Sequence, residues 1–384
     1  MPHSLNAAMN TTTRDALQQK IARRGIHYSL DRLMPALAKL NHPEMSLPPV
    51  IHIAGTNGKG SVAHYITELL MHHNRQVITY TSPHIHSYTE RFKINGTPIN
   101  EADFTALFET IAPADANNEL SEYECLTLMA FVFANNESPD ALVLETGLGG
   151  RLDATNVVPS SLAVITDLGL DHTDILGPAI TDIANEKAGI IKPNSHVITH
   201  LDHPLHATEI IKEHAKKNSA TVHWTPKKTG IHERNLSLAI VTVSQFLDLP
   251  ARTIQPHADT LVPPLGRLTP SIIQDTPCYI DVGHNASAVQ GILNTQPTIS
   301  EWIIGMQKTK DIMAVLNLLI QHKQSIKLCE FDATLSVSQR DLPAHIAPHV
   351  SQWAMGDPVH PNTLFFGSFY FIDALTPSIT HVAH

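Results

Sequence analysis

Three glycines surround a lysine and a hydroxyl in Gly55-Thr56-Asn57-Gly58-Lys59-Gly60-Ser61. Glycine permits tight turns and lets a backbone come close to a phosphate. The apolar run Val50 to Ala54 precedes this loop, and Val62, Ile66, Leu69 and Leu70 follow it at helical spacing. A strand, a glycine loop and a helix N-terminus make an anion site, because that terminus offers unpaired N–H groups and the positive end of a dipole. Lys59 would neutralise β- and γ-phosphate charge, and the Ser61 hydroxyl would reach magnesium. Gly60 separates Lys59 from Ser61, so the spacing departs from the general G-x-x-x-x-G-K-[ST] pattern. An ordinary glycine turn before a helix is the plainer alternative.

Three more segments end an apolar run in polar residues. Thr81-Ser82-Pro83-His84 follows Val77 to Tyr80, and Glu145 to Asp153 follows Ala141 to Leu144. Asp171-His172-Thr173-Asp174 comes after Leu162 to Ile165. Ligands of open α/β sheets collect at the carboxyl ends of strands, so Ser82, Glu145 and His172 are candidates to converge on the phosphate loop. A carboxylate, a hydroxyl and water suit magnesium. Lys187, late in a predicted helix, is in the plain reading a surface cation favoured by the helix dipole. Arg91 and Lys93 are candidates for a substrate carboxylate, although basic loop residues are usually just solvated. Arg151 and Asp153 would pair with each other in a structural turn, a role compatible with substrate binding.

The elements that must position these residues alternate short apolar runs with amphipathic stretches. That pattern predicts an α/β fold with a mostly parallel, P-loop-type sheet. Tyr123 to Phe133 is apolar nearly all round and reads as a buried helix. Asn235 to Leu247 reads as the last long helix of the first domain. Thr260 to Pro270, with three prolines and a glycine, reads as a linker. Beyond it Cys278 to Val282, Trp302 to Ile304 and Ile326 to Leu328 are expected strands of a smaller, Rossmann-like α/β domain. The expected division is 1–267 and 268–384. Trp224, Trp302 and Trp353 are expected to serve packing.

The 384 residues carry a formal net charge of -10, with 42% hydrophobic and 16% charged residues. A large core is affordable, and nucleic acid is disfavoured as main partner. The cysteines Cys125, Cys278 and Cys329 are widely spaced, which argues against a disulfide framework and fits a reducing cytoplasm. The start MPHSLNAAMNTTTRD lacks a basic region followed by an apolar core, and no run is long enough to span a bilayer. The expectation is a cytoplasmic monomer that binds neither nucleic acid nor membrane. Most of the 25 histidines are expected at the solvated surface.

AGTNGKGS, TSPHIHSYTERFKING, LETGLGGRLDATN, GLDHTDILG, EKAGIIKP and DVGHN occur in that order. Together they resemble bacterial folylpolyglutamate synthase/dihydrofolate synthase, of the Mur ligase superfamily, over most of the chain. The resemblance implies an ATP-dependent ligase that activates a carboxylate as an acyl phosphate and couples it to L-glutamate. The carboxylate would belong to dihydropteroate or a folate. It implies that Gly55, Thr56, Asn57, Gly58, Lys59, Gly60 and Ser61 hold ATP phosphates, with Asn235, Arg267, Asp281 and His284 completing the nucleotide site. Ser61, Ser82, Glu145 and His172 would ligate Mg2+, two ions in all, and Lys187 would carry a carbamate that reaches the second. Lys59, Glu145, His172 and Lys187 would be the catalytic set. Ser82, Pro83, His84, Arg91, Gly149, Arg151 and Asp153 would contact substrate, and the second domain would close over the site. A Mur-type ligase for another carboxylate, and a small-molecule kinase or ATPase, stay open as alternatives. The sequence departs from the family in a shortened stretch before Asn235, in Leu265 and in Ala286.

Overall fold

The computed structural model describes residues 11–24, 28–295 and 298–380. The first ten residues, on which the expectation about a leader falls, lie outside them. The chain divides into two compact units, Met1–Lys227 with Asn235–Leu261, and Lys228–Arg234 with Val262–His384.

The first unit holds strands β1 (Val50–Ala54), β2 (Val77–Tyr80), β3 (Phe92–Ile94), β4 (Thr97–Pro98), β5 (Ala141–Glu145), β6 (Leu162–Ile165), β7 (His196–His200) and β8 (Thr221–Thr225). Their order is β4-β3-β2-β5-β1-β6-β7-β8. From β2 to β8 all neighbours are parallel, and β3 and β4 form an antiparallel edge. Helices α1 (Thr11–Arg24), α2 (Leu33–Lys39), α3 (Lys59–His72), α4 (Glu101–Ile111), α5 (Glu122–Glu137), α6 (Thr173–Leu176), α7 (Ile180–Ala188), α8 (Leu205–Lys217), α9 (Ile231–Leu247) and α10 (Ala251–Ala258) connect and cover them.

Alternate residues of each strand feed opposite faces. In β5, Leu142 and Leu144 join Leu17, Leu37, Phe104 and Leu126 of α1, α2, α4 and α5. Ala141 and Val143 join Val62, Ile66 and Leu69 of α3 with Leu238 and Ile254 of α9 and α10. Ala163 and Ile165 of β6 meet Ala184, Ala188 and Ile211 of α7 and α8. Burial on both faces is why these strands read as unbroken apolar runs. Among the described residues no helix is long and apolar enough to cross a membrane.

The second unit contains β9 (Thr269–Ile273), β10 (Thr276–Asp281), β11 (Glu301–Gly305), β12 (Ile326–Leu328), β13 (Ser351–Gln352), β14 (Thr363–Gly367) and β15 (Ile379–Thr380) in the order β13-β12-β11-β14-β10-β9-β15. Neighbours from β13 to β10 are parallel and β9 is antiparallel to both of its own. Trp302, Phe366 and Leu316 of α12 (Ile312–Gln321) sit in its core beside Val289 of α11 (Ala286–Thr295).

Two expectations need correction. The helix expected from Asn235 begins at Ile231, and α10 follows it within the first unit. The proline-rich stretch read as a linker already contains the start of β9 at Thr269, where Thr269 pairs with Ile280.

Candidate active site

The sheet order places β2, β5, β1 and β6 side by side, with Tyr80 level with Leu144, Ile53 with Glu145 and Ala54 with Ile165. Strands are spaced by about 4.8 Å, so the four carboxyl ends span roughly 15 Å. Ser82, Glu145, the glycine loop and the segment leading to His172 leave from those ends. They share one edge of the sheet, as the strand-end argument requires.

Gly55 leaves β1 where only a hydrogen fits, since a Cβ there would lie 1.7 Å from Thr166 Oγ1. That hydroxyl donates to Asn57 O at 2.6 Å, and Thr56 N donates to Asp167 O at 2.7 Å. The Thr56 hydroxyl bonds Gly169 in both directions, donating to O at 2.9 Å and accepting from N at 3.0 Å. The glycine loop is thus laced to the loop after β6. Gly58 has φ 88° and caps α3 with no side-chain acceptor for the first amides. A Cβ on Gly58 would meet Asn235 Oδ1 at 2.5 Å, so buried Asn235 packs against the loop. Lys59, Gly60 and Ser61 form the first helical turn, whose N–H groups have no intrahelical acceptor.

Lys59 and Lys187 converge on one atom. Lys59 Nζ donates to Gly55 O at 3.1 Å, and Lys187 Nζ donates to the same oxygen at 2.9 Å. Lys187 is 4% exposed, which overturns its plain reading as a surface cation. Burial first, and the charge of Lys59 second, lower its pKa to about 7, with Asp171 nearby pulling the other way. Asp171 Oδ1 accepts from His172 N at 2.9 Å and lies 3.9 Å from its Nε2. Glu145 is 2% exposed, and its Oε2 accepts from Ser82 N at 3.1 Å. Among the described residues no three His, Cys, Asp or Glu side chains converge as a metal cluster.

The substrate-side expectations are redistributed. Arg91 is buried and not a solvated loop residue. Its Nε donates to His84 Nδ1 at 2.9 Å, and Nη2 lies 3.4 Å from Glu122 Oε1. Burial and the Arg91 charge push His84 down to about 4. Lys93 is also largely enclosed, and burial lowers its pKa despite the charges of Glu90 and Glu145. Arg151 and Asp153 do not pair with each other. Arg151 donates from Nε and Nη2 to Glu186 Oε1 at 3.0 and 2.7 Å. Asp153 is buried and shapes the turn after β5, accepting from Gly147 N and Leu148 N at 2.9 Å each and from the Thr155 hydroxyl at 2.6 Å.

Three residues outside the expected set also hold the site. Glu90 accepts from Ile85 N, His86 N and Ser87 N at 2.9, 2.8 and 2.7 Å, which fixes the loop after Pro83. Its sequence signal is the Ser87-x-x-Glu90 capping box. Tyr28 donates to Glu186 Oε2 at 2.7 Å and accepts from Gly150 N at 3.4 Å, tying the glycine turn to α7. Thr166 positions Asn57, as described. Neither Tyr28 nor Thr166 has a local sequence signal, because each acts on a chain segment more than 100 residues away.

Arg267, Asp281 and His284 come together within the second unit. Buried Asp281 accepts from Gly283 N at 2.7 Å and Leu268 N at 2.8 Å. Burial raises its pKa, opposed by the charge of Arg267, whose guanidinium lies 5.7 Å from the Phe369 ring. His284 Nδ1 donates to Val282 O at 3.2 Å.

The first unit is therefore a doubly wound α/β fold with a glycine loop at the strand-end edge and two lysines on its first carbonyl. Residues 53–253 match the Mur ligase middle domain. The chain is 32% identical over 321 residues to the dihydrofolate synthase/folylpolyglutamate synthase of Escherichia coli, covering 76% of this chain and 75% of that one. It is 40% identical over 203 residues to the Bacillus subtilis protein of the same name, covering 51% and 47%. It thus spans about half the length of several curated relatives that it matches. Its structure is similar to that of E. coli FolC in complex with DHPP and ADP, with a TM-score of 0.82 and 25% identity over 95% of this chain and 97% of that one. The fold is shared with Mycobacterium tuberculosis folylpolyglutamate synthase complexed with ADP and AMPPCP, at TM-score 0.82 and 24% identity over 95% and 98%. The chain belongs to the Mur ligase family and, within it, to the dihydrofolate synthase/folylpolyglutamate synthases.

Proposed function

We propose that this chain is an ATP-dependent ligase that joins L-glutamate to dihydropteroate and to folates through an acyl phosphate. The observation that carries the reading is the convergence of Lys59 and Lys187 on Gly55 O, at the strand-end edge that also bears Glu145 and Ser82. A lysine cation, Lys59, at the mouth of a glycine loop suits a triphosphate, and Lys187 beside it is a buried amine whose pKa is lowered to about 7. The buried carboxylate on the neighbouring strand suits a divalent ion.

In this reading a carboxylate oxygen of dihydropteroate attacks the γ-phosphorus, and ADP leaves. The glutamate amine then attacks the acyl carbon, phosphate departs, and the amine nitrogen loses a proton. The first-turn amides of α3 and Lys59 hold the phosphates and stabilise the charge that develops on them. The hydroxyls of Ser61 and Ser82, the Glu145 carboxylate and the His172 imidazole fit Mg2+, which takes few protein ligands and keeps several waters. Bound magnesium would neutralise γ-phosphate charge. A second ion and a carbamate on Lys187 belong to the same reading. An amine with a pKa of about 7 is substantially neutral at physiological pH, the form that adds to CO2. Gly149, Arg151 and Asp153 would form the substrate turn, and Arg267, Asp281 and His284 would serve the nucleotide. The enzyme would work as a monomer in the cytoplasm, where its three buried thiols stay reduced.

The test is ADP release with ATP, magnesium and dihydropteroate, with and without glutamate. Release that needs both organic substrates is expected, with loss of turnover in Lys59→Ala and on chelation of magnesium by EDTA. Release indifferent to glutamate would point instead to a kinase or ATPase. Full turnover in Lys59→Ala would remove the loop from the reaction.

A further inference from the structure

Arg91 was expected to meet substrate directly, yet its Nε and Nη2 face partners inside the protein. It ends a short turn, Tyr88–Arg91, and is 7% exposed. Nε donates to His84 Nδ1 at 2.9 Å, Nη2 lies 3.4 Å from Glu122 Oε1, and the guanidinium lies 5.4 Å from the Tyr88 ring centroid. The His84 ring packs on the same tyrosine, with ring centroids 4.5 Å apart. His84 follows Ser82 and Pro83, next to the strand end where Ser82 N meets Glu145.

A guanidinium has only donors. The nitrogen it donates to must present a lone pair, so Nδ1 of His84 carries no hydrogen. The imidazole then holds its single proton on Nε2, which points away from Arg91. Among the described residues Nε2 has no hydrogen-bond partner, and the ring is only half-buried.

We infer that Arg91 is a positioning residue that fixes His84 in its Nε2–H tautomer, and that His84 donates this hydrogen to an acceptor atom of the organic-acid substrate. The donor role rests on the proposed ligase reading; the tautomer does not. Glu122 in turn orients Arg91. The histidine thereby becomes a one-way donor that favours a substrate oxygen or bare ring nitrogen and disfavours an N–H group at the same point. A carboxylate bound through both Nε and Nη2 of Arg91 would have to displace both His84 and Glu122.

Long-range 1H–15N spectra of 15N-histidine-labelled protein read the tautomer without substrate. His84 is assigned by the signal lost in His84→Gln. At pH 8, free of metal and nucleotide, Nδ1 should show the shift of a bare nitrogen and Nε2 that of a protonated one. Arg91→Met should abolish that preference. An Nδ1–H tautomer in the wild type, or an unchanged one in Arg91→Met, overturns the positioning role. The donor role is read from the Kd of dihydropteroate. His84→Gln places an amide N–H near Nε2 and should bind within about threefold of wild type. His84→Asn cannot reach that point and should bind about tenfold more weakly, the worth of one hydrogen bond. Equal affinities of the two variants, or no binding by the wild type, overturn the donor role. Tight binding without ligase turnover would count against the ligase reading alone.

Discussion

Replacing Glu90 by alanine removes one carboxylate and orphans three backbone donors, those of Ile85, His86 and Ser87. Hydrogen bonds to a charged acceptor are the stronger kind, and orphaned amides recover only in part by meeting water. The variant is expected to lose about 1–3 kcal/mol of stability. On the proposed reading it should bind dihydropteroate about tenfold more weakly, because the loop that carries His84 loses its brace. ATP affinity should hold, since the glycine loop proposed to hold its phosphates is tied to Thr166 and Asp167 instead. Isothermal titration with each ligand checks this, and a parallel loss for ATP would defeat the argument. Residue types in the glycine loop, and the strand-end positions of Ser82 and Glu145, could be read from sequence because each depends on its immediate neighbours. Arg91, Lys93 and Lys187 could not. Their burial depends on partners such as Glu122 and Gly55, which lie 31 residues from Arg91 and 132 from Lys187.

The strand β1 carries a histidine that a surface reading of the histidines does not anticipate. His52 is fully buried, and its Nε2 lies 2.8 Å from Thr155 Oγ1. The Thr155 hydroxyl spends its hydrogen on Asp153, so His52 is the donor in that pair. Burial, helped by the charge of Lys192, lowers its pKa from 6.5 to about 3. The unfolded chain therefore takes up a proton that the folded strand refuses. The stability contributed is complete above about pH 6.5 and is lost as pH falls toward 3, by about 1.4 kcal/mol per pH unit. His52→Gln keeps a donor for Thr155 and cannot charge. Between pH 7.5 and 5.0 the wild type should lose about 2 kcal/mol more than this variant in urea unfolding. Equal losses would mean that His52 charges in the fold. The central strands were legible because both their faces are apolar. The strands β7 and β8, HVITH and TVHWT, were not, since His200 and Thr199 are buried through bonds to Thr225 and Ile165 that no local pattern shows.

At the scale of the molecule, the two units each carry a core of their own and are expected to open separately, as domains with independent cores generally do. The thiols report on this without added probes. Cys125 lies in the core of the first unit, and Cys278 and Cys329 lie buried in the second. Burial pushes all three thiols up to about 12, so each is protonated and shielded in the folded chain. The thiolate is the reactive form, and a native thiol should resist a maleimide for hours at pH 7. Under rising urea, Cys278 and Cys329 should become reactive together, because Cys278 lies on β10 and Cys329, directly after β12, donates its N–H to Ile304 O of β11 in the same sheet. Cys125 should follow its own midpoint, which nucleotide should raise, since the glycine loop proposed to hold it belongs to the first unit and ligand binding stabilises the unit that binds. Peptide mapping of the alkylated protein gives the three midpoints. One shared midpoint for all three cysteines would mean that the chain unfolds as a single cooperative body, and its two sheets could not be treated as separate folding units.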